Sequence, residues 1–231
     1  MSDRFYTPDV LGPGEYALTG PEAHHLATVR RFAPGDRIFL FNGDGNEYPC
    51  EVLSVGKRAV ALSVFPPVSA DRELGFPLVV ASALPKGDRT DFLIEKLTEL
   101  GATRFVPLLT ARAVVQPKVS AVEKLSRAVI EASKQCGRNR LMTIDPPQSW
   151  AAFVARADLP AARVVLHTGP DLPKVSASGG CAVAAGPEGG FTPEEVARAR
   201  ESGWTAASLG PRVLRVETAA IAAAAVLGGP A

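Results

Sequence analysis

The chain has 231 residues, a hydrophobic fraction of 46% and a formal net charge of +1 at pH 7. This length fits one large domain or two unequal ones, and the apolar content is sufficient for a folded core, which excludes a disordered chain. The N-terminal residues are charged and lack an apolar stretch, so we expect no secretory signal. Because the longest apolar run, Ala219 to Leu227, is too short to cross a bilayer, we expect a cytoplasmic protein without a membrane partner.

Cysteines, histidines and basic residues narrow the function further. The three cysteines, Cys50, Cys136 and Cys181, lack CxxC spacing and the three histidines do not complete a zinc set, so we expect buried thiols and no metal. An evenly spread net charge of +1 would argue against a polyanionic partner. However, the segment 112–140 holds seven Lys or Arg against two acids, which is typical of a phosphate-facing surface.

The N-terminal part of the chain has the pattern of a small antiparallel β domain. Its short β-rich runs, separated by Gly- and Asn-containing turns, cover 37–41, 48–55 and 58–65. A short helix is predicted ahead of them at Pro21–Phe32, and a proline pair at 66–67 indicates a boundary. We therefore predict a β domain at 1–70 and a second domain at 76–231.

In the second domain, apolar strands alternate with helices, as in α/β domains with a largely parallel sheet. The predicted strands are 78–84, 103–109, 141–144, 163–167, 181–185 and 205–209. Capping boxes at Ser120–Glu123 and Thr192–Glu195 predict helix starts, while Gly101 and Gly203 predict helix ends. The last helix, Val216–Leu227, is apolar nearly all round, so we expect it to be buried on most sides, either in the domain or in a subunit interface. This pattern predicts an unknotted, doubly wound sheet.

A glycine-rich turn, Gly186–Gly190 (GPEGG), lies between the predicted strand 181–185 and the helix that begins after Thr192. Open α/β sheets bind ligands at such strand ends, where backbone N–H groups are free to donate. Glu188 would repel a phosphate there, and the chain has neither a P-loop nor a dinucleotide-binding motif, so a cationic or neutral nucleoside fits better. The alternative is a tight turn that needs glycine only for its backbone angles.

A second Gly-Pro turn follows the next predicted strand, in the segment Leu209–Arg215 (LGPRVLR). Since loops that follow successive parallel strands lie on one edge of the sheet, the two turns could form a single pocket. Arg212 and Arg215 suggest an anion near a helix N-terminus, although an ordinary solvated surface is the alternative. Glu217, in the first turn of the last helix, could simply favour the helix dipole.

The two turn segments together resemble the paired cofactor motifs of the RsmE family, in the SPOUT superfamily of trefoil-knotted methyltransferases. The similarity covers essentially the whole chain, with further matching segments at Gly87–Asp91, Glu95–Gly101, Gln135–Asn139, His24–Arg31 and Pro34–Asp36. The resemblance implies a small PUA-like β-barrel RNA-binding domain followed by a trefoil-knotted α/β methyltransferase domain with a parallel sheet. Lys134 and Val216 depart from the usual family pattern, which weakens any role for these two positions.

S-adenosylmethionine is the cofactor that this resemblance implies, in a pocket built from three segments. The implied cofactor-binding residues are Leu166, His167, Gly186, Pro187, Glu188, Gly189, Gly190, Leu209, Gly210, Leu214, Arg215, Val216, Glu217, Thr218 and Ala219. The resemblance also implies a homodimer that methylates N3 of a uridine in 16S ribosomal RNA, with the assembled small subunit as substrate. On this basis, Gly189→Asp is predicted to abolish cofactor binding by placing bulk and charge where the backbone approaches the ligand.

Methyl transfer to the uridine requires alignment of the methyl group with N3 and loss of the weakly acidic imide proton. We expect Arg215 to stabilise the uridine anion, with Arg138 as a second candidate. Glu217 is either a general base or a residue that shapes the cofactor loop. The expected RNA-binding residues are His24, Arg30, Arg31, Arg112, Arg138, Asn139, Arg140 and Arg212.

Two other functions remain open from the sequence. One is a SPOUT-type methyltransferase that modifies another base of ribosomal or transfer RNA. The other is a nonenzymatic RNA-binding protein in which Gly186–Gly190 is only a turn. Binding of S-adenosylmethionine separates the enzymes from the binding module.

Overall fold

A computed structural model describes residues 3–169 and 171–229, which form two compact units. The first unit contains the chain up to Glu73 together with Ile130–Leu141, and the second contains Leu74–Val129 together with the chain from Met142 onward. Sequence periodicity does not predict that Ile130–Leu141 belongs to the first unit. An amphipathic helix has the same hydrophobic pattern whichever unit its ends join. The predicted domain division at 70–76 stays a prediction.

The first unit is built on one six-stranded sheet. Its strands are β1 (Arg4–Tyr6), β2 (Gly14–Thr19), β3 (Arg37–Phe41), β4 (Asn46–Val55), β5 (Ala59–Val64) and β6 (Val68–Ser69). Their order is β1-β3-β4-β5-β2, with β6 on β4, and every described pair is antiparallel except β1 with β3. Alternate residues of β5, including Val60 and Leu62, are buried in the core. The predicted β domain is therefore confirmed.

The predicted helix at Pro21–Phe32 is shorter than expected. Helix α1 (Gly20–His24) continues into a π-helical turn, His25–Val29, and ends there. Arg31 follows in the left-handed region with φ of 56°, and it is the only described non-glycine residue with positive φ. The helix thus ends in a geometry that usually selects glycine.

The second unit is built on a parallel sheet. Its strands are β7 (Leu78–Ser82), β8 (Arg104–Leu109), β9 (Thr143–Ile144), β10 (Gln148–Ser149), β11 (Ala162–Leu166), β12 (Cys181–Ala185) and β13 (Thr205–Ala207). Their order is β10-β8-β7-β12-β11-β13, with β9 on β8, and all described pairs are parallel. The six predicted strands are confirmed, and only the two-residue β10 was not predicted. Strand pairing does not trace how the chain threads, so the knot stays a prediction.

Helices α2 (Arg89–Glu99), α3 (Ala121–Cys136), α4 (Trp150–Val154), α5 (Pro193–Glu201) and α6 (Val216–Gly228) complete the described structure. The capping box of α5 is present, because Thr192 Oγ1 accepts from the Glu195 N–H at 3.2 Å and Glu195 Oε2 accepts from the Thr192 N–H at 2.8 Å. Helices α2 and α5 end before Gly101 and Gly203, both with φ of 82°, as predicted.

Helix α6 packs against α2 and buries one face, which includes Ala220, Ala223 and Leu227. Its other face carries the exposed side chains of Ala225 and Val226, so the domain alone does not bury the helix on all sides. None of the described helices is long and apolar enough to cross a membrane.

Candidate cofactor site

A cavity of about 270 Å³ lies at the carboxyl ends of β11, β12 and β13, which are neighbours in the parallel sheet. Cofactor pockets commonly occupy about 300–1,000 Å³, so this volume is near the lower end of that range. The lining residues fall in three segments and the last helix: Leu166, His167, Thr168, Ala185, Gly186, Pro187, Glu188, Gly189, Gly190, Phe191, Ser208, Leu209, Gly210, Arg212, Val213, Leu214 and Ala219. The two predicted turns therefore form one pocket, as expected from parallel-strand geometry.

The Gly186–Gly190 turn is held in shape by its own backbone and by the core beneath it. The Gly190 N–H donates to the Pro187 carbonyl at 2.8 Å, and Gly190 has a φ of 68°. A Cβ on Gly186 would lie 3.0 Å from Phe191 Cδ2, and the Phe191 ring packs on Trp150 with centroids 4.3 Å apart. Glycine is thus required at position 190 by the backbone angle and at position 186 by packing. The same turn also lines the cavity.

The second wall of the cavity follows β13 and is also fixed locally. Ser208 Oγ accepts from the Gly210 N–H at 3.0 Å, and Gly210 has a φ of 120°. The Ser208 N–H donates to the Pro173 carbonyl at 2.8 Å, which ties the start of this loop to the segment after β11. The loop therefore leaves the sheet edge in a defined direction, with Leu209 and Gly210 on the cavity.

Eleven of the fifteen predicted cofactor residues line this cavity; Arg215, Val216, Glu217 and Thr218 do not. The reason is that α6 begins at Val216, and helical geometry turns Val216 and Glu217 into the protein and Thr218 to solvent. The lining residues that sequence reasoning did not assign to the cofactor are Thr168, Ala185, Phe191, Ser208, Arg212 and Val213. All six adjoin or fall within predicted segments, so extending each segment by one residue would have included them.

Glu217 is buried and paired. Its Oε1 atom accepts from Arg89 Nη1 at 3.3 Å, and its side chain is 7% exposed. The second oxygen, Oε2, is buried without a hydrogen-bond partner among the described residues. This environment favours a role in shaping the start of α6 over general-base catalysis. Arg89, the first residue of α2, was not singled out by the sequence and is its partner.

Arg215 and Arg212 are exposed next to the cavity. Arg215 precedes α6 as its N-cap residue and directly follows Leu214, a cavity residue. Arg212, which was predicted to bind RNA, itself lines the cavity. Neither side chain has a hydrogen-bond or ion-pair partner among the described residues, so both charges are available to a ligand.

The predicted cation Arg138 has a different environment, in the first unit. Its guanidinium donates to Glu73 through Nε at 3.1 Å and Nη2 at 2.6 Å, and the residue is 3% exposed. The neighbouring Asn139 is 2% exposed and its Oδ1 accepts from Arg4 Nη2 at 2.6 Å. Burial and internal pairing contradict a role for either residue in direct RNA contact, and they leave Arg138 without support as a catalytic cation.

The remaining predicted RNA-binding residues are distributed over the surface. His24, Arg31 and Arg140 are exposed in the first unit. Arg30 is half-buried, pairs with Asp3 and lies over the Phe32 ring at 5.7 Å. Arg112, in the second unit, is exposed but donates from Nη1 to the Gly189 carbonyl at 2.7 Å.

The thiols provide no evident chemistry. Burial raises the pKa of Cys50 to about 12 and that of Cys181 to about 11, so both are protonated at neutral pH. Cys136 is half-buried rather than buried. Within residues 3–169 and 171–229, no three His, Cys, Asp or Glu side chains are grouped to hold a metal.

Comparison with protein families gives two matches that together cover most of the chain. The family model described as an RNA methyltransferase domain matches residues 72–228, and that described as an RNA methyltransferase PUA domain matches residues 18–65. The first match contains the whole cavity, and the second contains β3, β4 and β5. The predicted fold class, a PUA-like domain followed by an α/β methyltransferase domain, is confirmed.

Individual relatives agree with the family models. The ribosomal RNA small subunit methyltransferase E of Bacillus subtilis is 34% identical over 219 residues, which cover 88% of this chain and 86% of that protein. A putative methyltransferase of Legionella pneumophila, solved with bound S-adenosylmethionine, has a TM-score of 0.88 and 32% identity, covering 98% of this chain and 96% of that one.

The ribosomal RNA small subunit methyltransferase E of Neisseria gonorrhoeae, solved with S-adenosylmethionine, has a TM-score of 0.86 and 28% identity, covering 97% of this chain and 96% of that one. Similarity therefore extends through both units rather than being limited to the glycine-rich turns. This chain belongs to the family of the ribosomal RNA small subunit methyltransferases E, the RsmE family.

Proposed function

We propose that this protein transfers the methyl group of S-adenosylmethionine to N3 of a uridine in 16S ribosomal RNA of the small subunit. The observation that carries the proposal is the cavity at the ends of β11, β12 and β13, with two glycine turns in its walls. Relatives named ribosomal RNA small subunit methyltransferase E, and similar structures that hold S-adenosylmethionine, support the reaction class and cofactor. The choice of uridine N3 rests on the motif resemblance.

The cavity residues fit this cofactor. Leu166, Leu209 and Leu214 provide apolar surface for an adenine ring. A Cβ on Gly190 or Gly210 would meet no atom within 4 Å, so open space lies beside both backbones.

Charged groups in the cavity also suit S-adenosylmethionine. Glu188 and Arg212 both line the cavity. Their opposite charges complement the ammonium and carboxylate of the cofactor's methionine part. By contrast, Glu188 would repel a phosphate ligand, so a nucleotide is a poorer fit.

The cofactor, when bound, supplies a methyl group already activated by its sulfonium. The protein's main task is then to fix the target nitrogen in line with that methyl group. Arg215 is exposed beside the cavity residue Leu214 and carries the positive charge needed to stabilise a deprotonated uridine. The N-terminus of α6, which Arg215 precedes, adds a favourable dipole.

Glu217 acts in this proposal as a positioning residue. Its carboxylate is buried against Arg89 and does not face the cavity, so it is poorly placed to take a proton from the base. The ion pair joins the first residue of α2 to the first turn of α6. It thereby fixes the helix start from which Arg215 projects.

In the first unit, the exposed cations are the residues that we propose to contact the RNA. Arg31 and Arg140 are exposed and have no ion-pair partner among the described residues, and His24 is also exposed. Phosphate contacts of this kind set register on the RNA, while base contacts select the site. This assignment replaces the one from sequence, which included the buried Arg138 and Asn139.

We further propose that the protein is a homodimer through the outer face of α2 and α6. These helices pack together, and Phe92 on α2 and Val226 on α6 remain 49% and 55% exposed. Contiguous exposed apolar patches mark protein–protein interaction sites, and we propose that these two side chains belong to such a patch. Sedimentation should show a dimer for the wild type and a monomer for Val226→Asp; a wild-type monomer would contradict the interface.

The function is tested with small ribosomal subunits from cells that lack this activity. The protein and labelled S-adenosylmethionine are added, the RNA is digested, and the labelled nucleoside is identified. We expect 3-methyluridine, and labelled guanosine or cytidine would overturn the proposed base. Calorimetry without RNA tests the cofactor separately, since absence of binding would favour a nonenzymatic RNA-binding protein.

A further inference from the structure

Arg112 contacts the cofactor loop from outside the cavity. Its Nη1 donates to the Gly189 carbonyl at 2.7 Å, while Arg112 itself is absent from the cavity lining. We infer that Arg112 is a positioning residue, which holds the Gly186–Gly190 turn in the shape that binds S-adenosylmethionine. The inference rests on the proposed function, and it replaces the expected role of Arg112 in RNA binding.

The segment that carries Arg112 is itself anchored. It forms a turn after β8 in which the Ala113 N–H donates to the Thr110 carbonyl at 3.2 Å. The Ala111 N–H donates to Glu195 Oε1 at 2.9 Å, and the other oxygen of Glu195 closes the capping box of α5. Arg112 therefore projects from a fixed base, so its bond to Gly189 restrains the loop rather than following it.

The charge of Arg112 also acts on the start of α5. The pKa of Glu194 is lowered by hydrogen bonds from the Glu194 backbone N–H and from the Thr192 side chain. The positive charge of Arg112 lowers this pKa further. The turn after β8 thus contacts the cofactor loop through the Arg112 guanidinium and the start of α5 through the Ala111 N–H.

The missing side chain at Gly189 is explained by the same contact. A Cβ there would lie 3.3 Å from Arg112 Cδ and 3.4 Å from Arg112 Cβ, and those side-chain atoms are its nearest neighbours. The hydrogen that a methyl group would replace therefore points at Arg112. This differs from the premise of the Gly189→Asp prediction, in which added bulk would face the ligand.

A restrained loop binds more tightly because less conformational freedom is lost on binding. A charge-assisted hydrogen bond of this kind is worth about one order of magnitude in affinity. We therefore expect Arg112→Ala to weaken cofactor binding about tenfold. Arg112→Lys, which keeps a positively charged donor group but not the planar fork, should recover part of that loss.

The first experiment is calorimetric titration of the full chain with S-adenosylmethionine in the absence of RNA. Lys118→Ala is the matched control, because it removes an exposed cation from the same loop without a described contact to Gly189. The inference holds if Arg112→Ala weakens cofactor binding without lowering the melting temperature. Lys118→Ala should bind the cofactor as tightly as the wild type. It is overturned if Arg112→Ala binds the cofactor normally, whether or not the KM for the small subunit rises.

A double-mutant cycle with Gly189→Ala tests the geometry directly. In the wild-type background the new methyl group would lie 3.3 Å from Arg112 Cδ, so Arg112 must shift by a few tenths of an ångström and cofactor affinity should fall. In the Arg112→Ala background the contact with Arg112 Cδ is absent and only the 3.4 Å contact with the Cβ of residue 112 remains, so Gly189→Ala should have less effect. Equal effects in both backgrounds would show that Arg112 does not act through Gly189. Normal cofactor binding by the wild type is required in every case, so failure of the proposed function would be seen separately.

Discussion

Two arginine-bearing segments, 137–140 and 209–215, share one sequence feature and differ in structure. Each contains a glycine shortly before an arginine, and each was expected to meet an anion. In the first segment, Arg138 is buried against Glu73 inside its own unit. In the second, Arg212 lines a cavity and Arg215 is exposed next to it, and neither has an ion-pair partner among the described residues.

The difference shows that an arginine indicates a ligand site when its side chain is exposed and unpaired, and that its presence in the sequence is not sufficient. A buried guanidinium needs an internal carboxylate, because an unpaired charge in the interior carries a large desolvation cost. Glu73 supplies that carboxylate for Arg138, whereas no carboxylate among the described residues pairs with Arg215. Substituting the arginines one at a time therefore separates stability from catalysis, cofactor binding and RNA binding.

The largest effect is expected on stability, from Arg138→Met. This change leaves the Glu73 carboxylate without its bidentate partner in a site that is 14% exposed, and should cost about 3–5 kcal/mol. Denaturant unfolding of the full chain measures the loss. Arg138→Met/Glu73→Leu should recover much of it, since no unpaired charge remains. Wild-type stability with loss of turnover would instead restore Arg138 as a catalytic cation.

Arg215→Met should leave the unfolding midpoint unchanged and lower kcat about 100-fold, because a positive charge near the uridine anion is lost. Single-turnover kinetics with small subunits gives the rate of transfer, and calorimetry confirms that cofactor affinity is retained. An unchanged rate would remove Arg215 from the catalytic assignment.

Arg212→Met should weaken S-adenosylmethionine binding about tenfold, because Arg212 offers a charge-assisted hydrogen bond within the cavity. Calorimetry without RNA measures this effect, and an exposed arginine away from the cavity, changed as Arg127→Met, is the control. If affinity for the cofactor is unchanged while the KM for the small subunit rises, Arg212 belongs to the RNA surface, as the sequence first suggested.

The smallest effect is expected from Arg140→Ala, on RNA affinity alone. Loss of one phosphate contact should weaken binding a few-fold and reduce the slope of log affinity against log salt by about 1. Filter binding across a salt series checks this, with cofactor affinity as the internal control. A salt slope equal to that of the wild type would mean that Arg140 makes no phosphate contact.

Much of the fold could be predicted because its local signals are strong. The fully buried strands β7 and β12 appear as continuous apolar runs, and Thr192 with Glu195 marks a helix start that the structure confirms. The two-residue strand β10 gave no periodicity and was not predicted. Helix α1 ended early, since the π-helical turn before Arg31 has no sequence signature in a single chain.

The cofactor cavity was predictable for a related reason: loops after neighbouring parallel strands must share one edge, so Gly186–Gly190 and Leu209–Gly210 had to approach each other. Roles of individual side chains were less predictable. Arg112 lies 77 residues from Gly189 in the chain, and Arg89 lies 128 residues from Glu217. No local sequence pattern predicts a contact between residues so far apart in the chain.

The sequence by itself determined the elements, the order of strand and turn, and the glycines that the cavity loops require. These features depend on hydrophobic periodicity and backbone angles, which act over a few residues. Only the tertiary structure decided which charges are free, because burial and pairing depend on residues brought together from distant parts of the chain. Arg138 and Arg215 follow equally plausible motifs, and it is Glu73, 65 residues away from Arg138, that distinguishes them.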